Sequence, residues 1–483
     1  MGVTRYSRAM MTQPDLNRLS VADKDALICA LRSQVEDLSG QVSALLAKVA
    51  ELEGRLAQTS RNSSKPPSSD GLNKPKPKSL RQPGQKPTGG QAGHPGQTLK
   101  RVAQADRIET HAPPSHCDTC SLRLPEATVV ETRQVFEVPP LRHEVIEHQV
   151  LEATCACGQV HRGTFPVEVS APVQYGPRLK ATVVHLTHHQ MLPVARTGAL
   201  MGDLFGLPLS DGTVLAFQAE AGKRLAPTVK AIGEALKTVP VAHADETGMR
   251  VAGKLFWLHL VATTCLTWIG AHAKRGRAAF DAFGILTAFV GTLVHDGWKP
   301  YRDLACQHAL CNAHHLRELT YLFEQMEQAW AKQLIELLIT ARHEVAGATG
   351  PLSADRRTHF RTAYLAILEA GDALNPRAPP SGRRGRTKQS KARNLLDRLR
   401  EQATEVWRFM DDPAVPFTNN LAERDVRMPK VKQKISGGFR TQTGLETFCT
   451  IRAYLATLQK QGVNLFDALV LTFQGAPPQP RLA

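Results

Sequence analysis

Nine apolar side chains recur at alternating spacings of three and four between Ile28 and Leu56, and no other feature constrains the N-terminal fold as tightly. Ile28, Val35, Val42, Val49 and Leu56 hold one seam position; Leu31, Leu38, Leu45 and Leu52 hold the other. That spacing closes a continuous stripe along one side of a helix. β-Branched residues at the first position with Leu at the second favour a parallel two-stranded coiled coil. A coiled-coil dimerisation helix is therefore expected over 21–58, making the protein a homodimer or higher. The alternative is an amphipathic helix packed onto its own chain.

Residues 59–110 change character to Pro, Gly, Ser and Lys, and nothing there can bury a core. Ten Lys and Arg stand against three Asp and Glu in this stretch, which suits a solvated linker and equally a basic arm along phosphates. The whole chain has a net charge of +16, a balance that favours a polyanionic partner, most simply nucleic acid. No apolar run approaches the roughly 18 residues of a membrane span, and the N-terminus lacks an apolar signal core, so a cytoplasmic protein without a membrane partner is expected. In a reducing compartment its nine cysteines suggest metal binding before disulfides.

Four of those cysteines form two short motifs, Cys117-x-x-Cys120 and Cys155-x-Cys157. Four thiolates suit one structural zinc, and a small zinc-binding domain is expected over 111–172, its span filled by strands at 129–138 and 143–155. His116 or His161 is a candidate substitute ligand, and unmetallated thiols are the alternative. Residues 173–237 read as helical, with a break at Gly206–Pro208 and a restart after Ser210. That pair is either a helix-turn-helix that reads DNA or ordinary packing.

From 238 the period becomes strand-like. VPVAHADETG runs into Asp245, LFWLHLVATT and LTWIGAHA follow, a helical RGRAAFDAFGIL intervenes, and GTLVHDGW carries Asp296. Three meandering strands, a helix and a further strand open the RNase H-like fold, in which acids on the first and fourth strands converge. Phosphodiester displacement uses two divalent cations about 3.5–4 Å apart, held by carboxylates. Glu423, in FTNNLAERDVR, is the best third acid. Asn420-Leu-Ala-Glu423 also satisfies a capping box, in which Glu423 would only close back on the helix start. Arg424, Arg427, Lys430, Lys432, Lys434 and Arg440 surround this acid with phosphate-attracting charge. Glu246, as the strand neighbour of Asp245, should point to the opposite face.

Taken in order, the heptads, RNSSKPPSSD, GGQAGHPG, the cysteine motifs, HADETG, HDGWKPY, CNAHHLREL and TNNLAERDVRMPKVKQKISGGFRTQTG resemble the insertion sequence 66 family of bacterial DDE transposases. The resemblance implies an acidic triad of Asp245, Asp296 and Glu423 holding two magnesium (or manganese) ions. It also implies DNA partners, namely the element's terminal inverted repeats and target DNA, together with accessory proteins of the same element and a nucleoid-associated location. The Cys-x-x-His-x-x-Arg element falls at Cys311, His314 and Arg317, with Asn312 where the family usually has an aromatic residue and a second His at His315. The expected architecture is a multidomain α+β chain: the coiled coil, the zinc-binding domain and an RNase H-like α/β catalytic core (238–310 and 416–475) with an all-helical insertion (311–415). The alternative from another class is a catalytically silent, domesticated relative acting as a DNA-binding regulator.

Overall fold

The computed structural model describes residues 20–63, 99–380 and 387–482. Most of the expected linker, and part of the basic break at 381–394, lie outside them. In chain order α1 (Val21–Leu56) precedes a hairpin, β1 (Glu152–Thr154) and β2 (Val160–Arg162), and helices α2 (Pro177–Val184), α3 (Val194–Phe205) and α4 (Asp211–Ala235). Then come β3 (Val241–Val251), β4 (Lys254–Ala262), β5 (Thr267–His272), α5 (Arg277–Phe283), β6 (Thr292–His295) and β7 (Gln307–Leu310). Helices complete the chain: α6 (Asn312–Met326), α7 (Ala329–Gly347), α8 (Ala354–Leu374), α9 (Lys391–Glu401), α10 (Ala403–Asp411), α11 (Asn420–Ser436), α12 (Gln442–Lys460) and α13 (Leu465–Phe473). No helix among the described residues is long and apolar enough to cross a membrane.

The chain divides into two compact units, Met1–Pro77 with Ala309–Thr418, and Lys78–His308 with Asn419–Ala483. In the first, α1 starts at Ser20, whose hydroxyl accepts from the Asp23 N–H at 3.2 Å. Its described seam residues are exposed, Leu38 by 58% and Leu45 by 65%. Near its C-terminal end α1 meets α6: Tyr321 donates its hydroxyl to the Gly54 carbonyl at 3.0 Å. A Cβ at Gly54 would stand 2.8 Å from that oxygen, so a larger residue there would displace the Tyr321 hydroxyl. Helices α6 to α10 bury Trp330, Phe360, Tyr364 and Trp407 among themselves. His315 is buried there, against the Asn312 side chain at 3.1 Å.

The second unit is built on a mixed sheet of order β5-β4-β3-β6-β7. β3 and β4 form an antiparallel hairpin through Ala252 and Gly253, both at positive φ, in register Asp245↔Leu260. β6 lies parallel to β3, pairing Val241↔Thr292 through His243↔Val294. Period-two alternation splits β3 between two cores. Ala242 and Ala244 pack with Phe280, Leu293 and Tyr301, whereas Met249 and Val251 face the core of α2, α4, α12 and α13.

Helix α4 is part of that core. Gly206 ends α3 in the left-handed region, Ser210 caps α4 at 3.1 Å from the Thr213 N–H, and Val214, Phe217, Ala221, Leu225 and Val229 are buried. The α3–α4 pair therefore packs as core structure.

The cysteine segment differs from expectation. Of the strands anticipated at 129–138 and 143–155, only Glu152–Thr154 forms, paired with β2. Val129, Val130, Val135, Val145 and Ile146 are exposed instead. A strand needs both a ladder partner and an apolar face to cover, and this stretch has neither.

Candidate active site

Asp245 sits mid-strand on the face of β3 that packs against α11 and α12, and Asp296 follows the last residue of the parallel neighbour β6. Glu423 lies in the first turn of α11. The three come from distant parts of the sequence, yet Asp296 and Glu423 both act on Asp245. Asp245 is pushed up to about 8, first by burial, then by Glu246, and further by Asp296 and Glu423, while the Glu246 N–H pulls it down. Carboxylates of this kind are the hard oxygen donors that divalent cations take.

Each acid is held in place. Asp296 accepts the Trp298 N–H at 2.9 Å, a turn that Gly297 permits with φ +87°. Glu423 donates its N–H to the Asn419 carbonyl at 3.2 Å. The helix begins one residue earlier than the capping-box reading requires: Asn419 is the N-cap, and its side chain caps nothing. Two residues on from Glu423 and across the helix, Asp425 accepts from Thr267 Oγ1 at 2.8 Å and from Lys460 Nζ at 2.7 Å. Lys460 also donates to the Thr263 and Leu266 carbonyls, so α11 is tied to the start of β5 and to α12.

Glu246 lies on the opposite face, as its parity demands. Tyr301 donates its hydroxyl to one oxygen of Glu246, and Arg275 takes the other, its Nε at 3.0 Å. The Arg275 guanidinium lies 3.8 Å from the Trp298 ring centre and 4.7 Å from that of Trp257. Burial and the adjacent Glu246 hold the Tyr301 hydroxyl well above its ordinary range, which keeps it a proton donor. None of Arg275, Tyr301 or Asn419 is a candidate from composition or spacing, although all three sit in or beside motifs that the sequence displays.

The basic residues of α11 flank the acids. Glu423, Arg427, Lys430 and Lys434 share one helical face at spacings of four, three and four. Partial desolvation lowers the Lys430 ammonium, and the Asp245 carboxylate opposes that shift. Arg424, Arg427, Lys430, Lys434 and Arg440 are exposed, and half-buried Lys432 donates to Ser436 at 3.2 Å.

The cysteines form two pairs on tight turns. Backbone N–H groups of Cys120 and Thr119 lower the Cys117 thiol, and that of Cys157 lowers Cys155. The second turn is closed by Cys155 N–H to Gln159 O at 2.8 Å. Among the described residues the two pairs are not drawn into one four-sulfur cluster.

Residues 172–447, more than half of the chain, match the model of the Transposase IS66 family. The chain belongs to that family. Membership in the IS66 transposases gives it a transposase role. Residues 11–100 match a second model, a family of unknown function (DUF6444). No curated protein matches the chain.

The raised Asp245 has a stability consequence for the metal-free transposase. Unfolded, this carboxyl titrates near its ordinary 3.8; folded, it keeps its proton to about 8. The folded state binds the extra proton between those values, so the stability present at low pH is lost as pH rises through 8. Asp245→Asn should therefore be more stable than the parent at pH 8.5, by at least about 1 kcal/mol, and little different at pH 4.5. Urea denaturation in chelator at both pH values checks this; an equal gap at the two would assign the effect to something other than the Asp245 proton.

Proposed function

We propose that this transposase cuts and joins DNA by a DDE mechanism on an RNase H-like core, with Asp245, Asp296 and Glu423 as the ligands of two magnesium ions. What supports the reading is that Asp296, after the end of β6, and Glu423, at the start of α11, both act by charge on Asp245 in β3. The strand order, a three-strand meander with its first strand beside a parallel fourth, supports the same core. Bound there, the cations would polarise the scissile phosphate, activate the attacking oxygen and stabilise the leaving one.

The protein's own residues do the rest. Asp245 ligates as the carboxylate and gives up its proton on doing so. Arg427, Lys430 and Lys434 present a row of charge to the backbone of an element end, and Arg424 and Arg440 extend it. Hydrolysis at the end frees a 3′-hydroxyl, and that hydroxyl then displaces a target strand in the same acidic pocket. Glu423→Gln keeps shape but is a poor magnesium ligand. It should abolish cleavage of DNA carrying the element's ends while binding and melting stay normal, as should Asp245→Ala and Asp296→Ala for cleavage. An active, folded Glu423→Gln enzyme would remove Glu423 from the site.

Zinc belongs to Cys117, Cys120, Cys155 and Cys157 in this reading, because both turns already aim N–H groups at sulfur, the geometry that stabilises a thiolate for soft metal binding. With its valines exposed, the segment has little core of its own, so metal should supply its order. Metal analysis of the full chain should find one zinc, and chelation should open 111–172 to protease while the rest of the sheet-bearing unit resists. A zinc-free chain with 111–172 equally resistant would refute this.

The exposed seam of α1 is assigned to a second copy of the chain, a coiled coil through 21–58 that would bring two active sites to two element ends. Leu38→Glu with Leu45→Glu should convert the protein to a monomer in sedimentation velocity. A parent chain that already sediments as a monomer at micromolar concentration would sink the assignment.

A further inference from the structure

The chain leaves the sheet-bearing unit at His308 and re-enters it at Asn419. Between Asp296 and Glu423 lie 126 residues, most of them folded as helices of the other unit. Connectivity over such a length fixes almost nothing about where Glu423 arrives. Something local must set the register of α11 against β3, and Asn419 makes the contacts that would do so.

Its side chain is 2% exposed and has two partners on β3. Nδ2 donates to the Ala244 carbonyl at 2.8 Å, and Oδ1 accepts from His243 Nδ1 at 2.8 Å. Those partners are the two residues immediately before Asp245. The parallel ladder to β6 ends at His243↔Val294, so Asn419 acts where that pairing stops. Meanwhile its backbone carbonyl accepts from the Glu423 N–H at 3.2 Å. Asparagine is favoured at an N-cap because its side chain usually satisfies the first free N–H groups of the helix. Here the N-cap side chain forgoes that bond and reaches across to the strand. One buried residue therefore touches the backbone frame of both Asp245 and Glu423.

We propose that Asn419 is a positioning residue that sets the spacing of the Asp245 and Glu423 carboxylates for cation binding. The inference rests on the metal-site reading above and deepens it. Residues that orient metal ligands without touching the metal change affinity by about 10–100-fold when removed. The test is Mn2+ binding to the full chain, without DNA, followed by electron paramagnetic resonance of the free ion. Asn419→Ala should weaken Mn2+ binding at least about tenfold. Val229→Ala, a core truncation on α4 remote from the site, serves as a destabilised control and should bind Mn2+ as the parent does. His243→Leu cuts one of the two contacts without touching Asn419, and should give a smaller loss; it also stands in if Asn419→Ala does not fold. If Asp245→Ala binds Mn2+ as well as the parent, the metal-site reading fails and this inference with it. If Asp245→Ala loses Mn2+ while Asn419→Ala or, in its place, His243→Leu keeps parent affinity, only the role of Asn419 is overturned.

Discussion

The sheet-bearing unit depends on keeping a carboxyl group in the middle of its central strand. β3 is flanked by β4 and β6 and covered on both faces, so Asp245 is surrounded by structure that disfavours its charge. Everything near it compensates or exploits that cost. The second acid, Glu246, is turned to the other face and neutralised by Arg275 and Tyr301, which leaves the Asp245 face free of a competing fixed salt bridge. The α11 helix that covers Asp245 brings Glu423 on one side and, on the other, Asp425, already paired with Lys460. Asp425 and Glu246 are paired with cations, whereas Asp245 carries no such partner among the described residues and is acted on by Asp296 and Glu423.

Much of this was legible in the sequence because it is local. Alternation in VPVAHADETG, the Gly253 turn and the Pro-free apolar run LFWLHLVA specify a hairpin, and the structure has it in β3 and β4. Ser210 before a helical run marked the start of α4 correctly. Parity alone assigned Glu246 to the face opposite Asp245. The grouping of Asp245, Asp296 and Glu423 rests on the type of acid and on family resemblance, since no local rule joins positions so far apart.

What could not be read off is tertiary. The cap of α11 could not be singled out, because Asn419 and Asn420 are equally good caps by composition, and in the fold it is Asn419, bonded to the β3 backbone, that precedes the helix. Arg275 looks like a loop cation until Trp257 and Trp298 are brought to either side of it. The strands expected at 129–138 and 143–155 illustrate the converse error. Their β-branched residues fit a pleated surface, but propensity supplies no partner, and the chain passes through as irregular structure.

The two cysteine turns carry one more implication. Cys120, Cys155 and Cys157 are exposed, and Cys117 is partly so. A thiol lowered by backbone N–H groups holds more of its sulfur as thiolate at neutral pH, and thiolate is the form that peroxide and alkylating agents attack. The same turns thus leave these thiols more open to oxidation than Cys306 and Cys449, whose thiols burial raises.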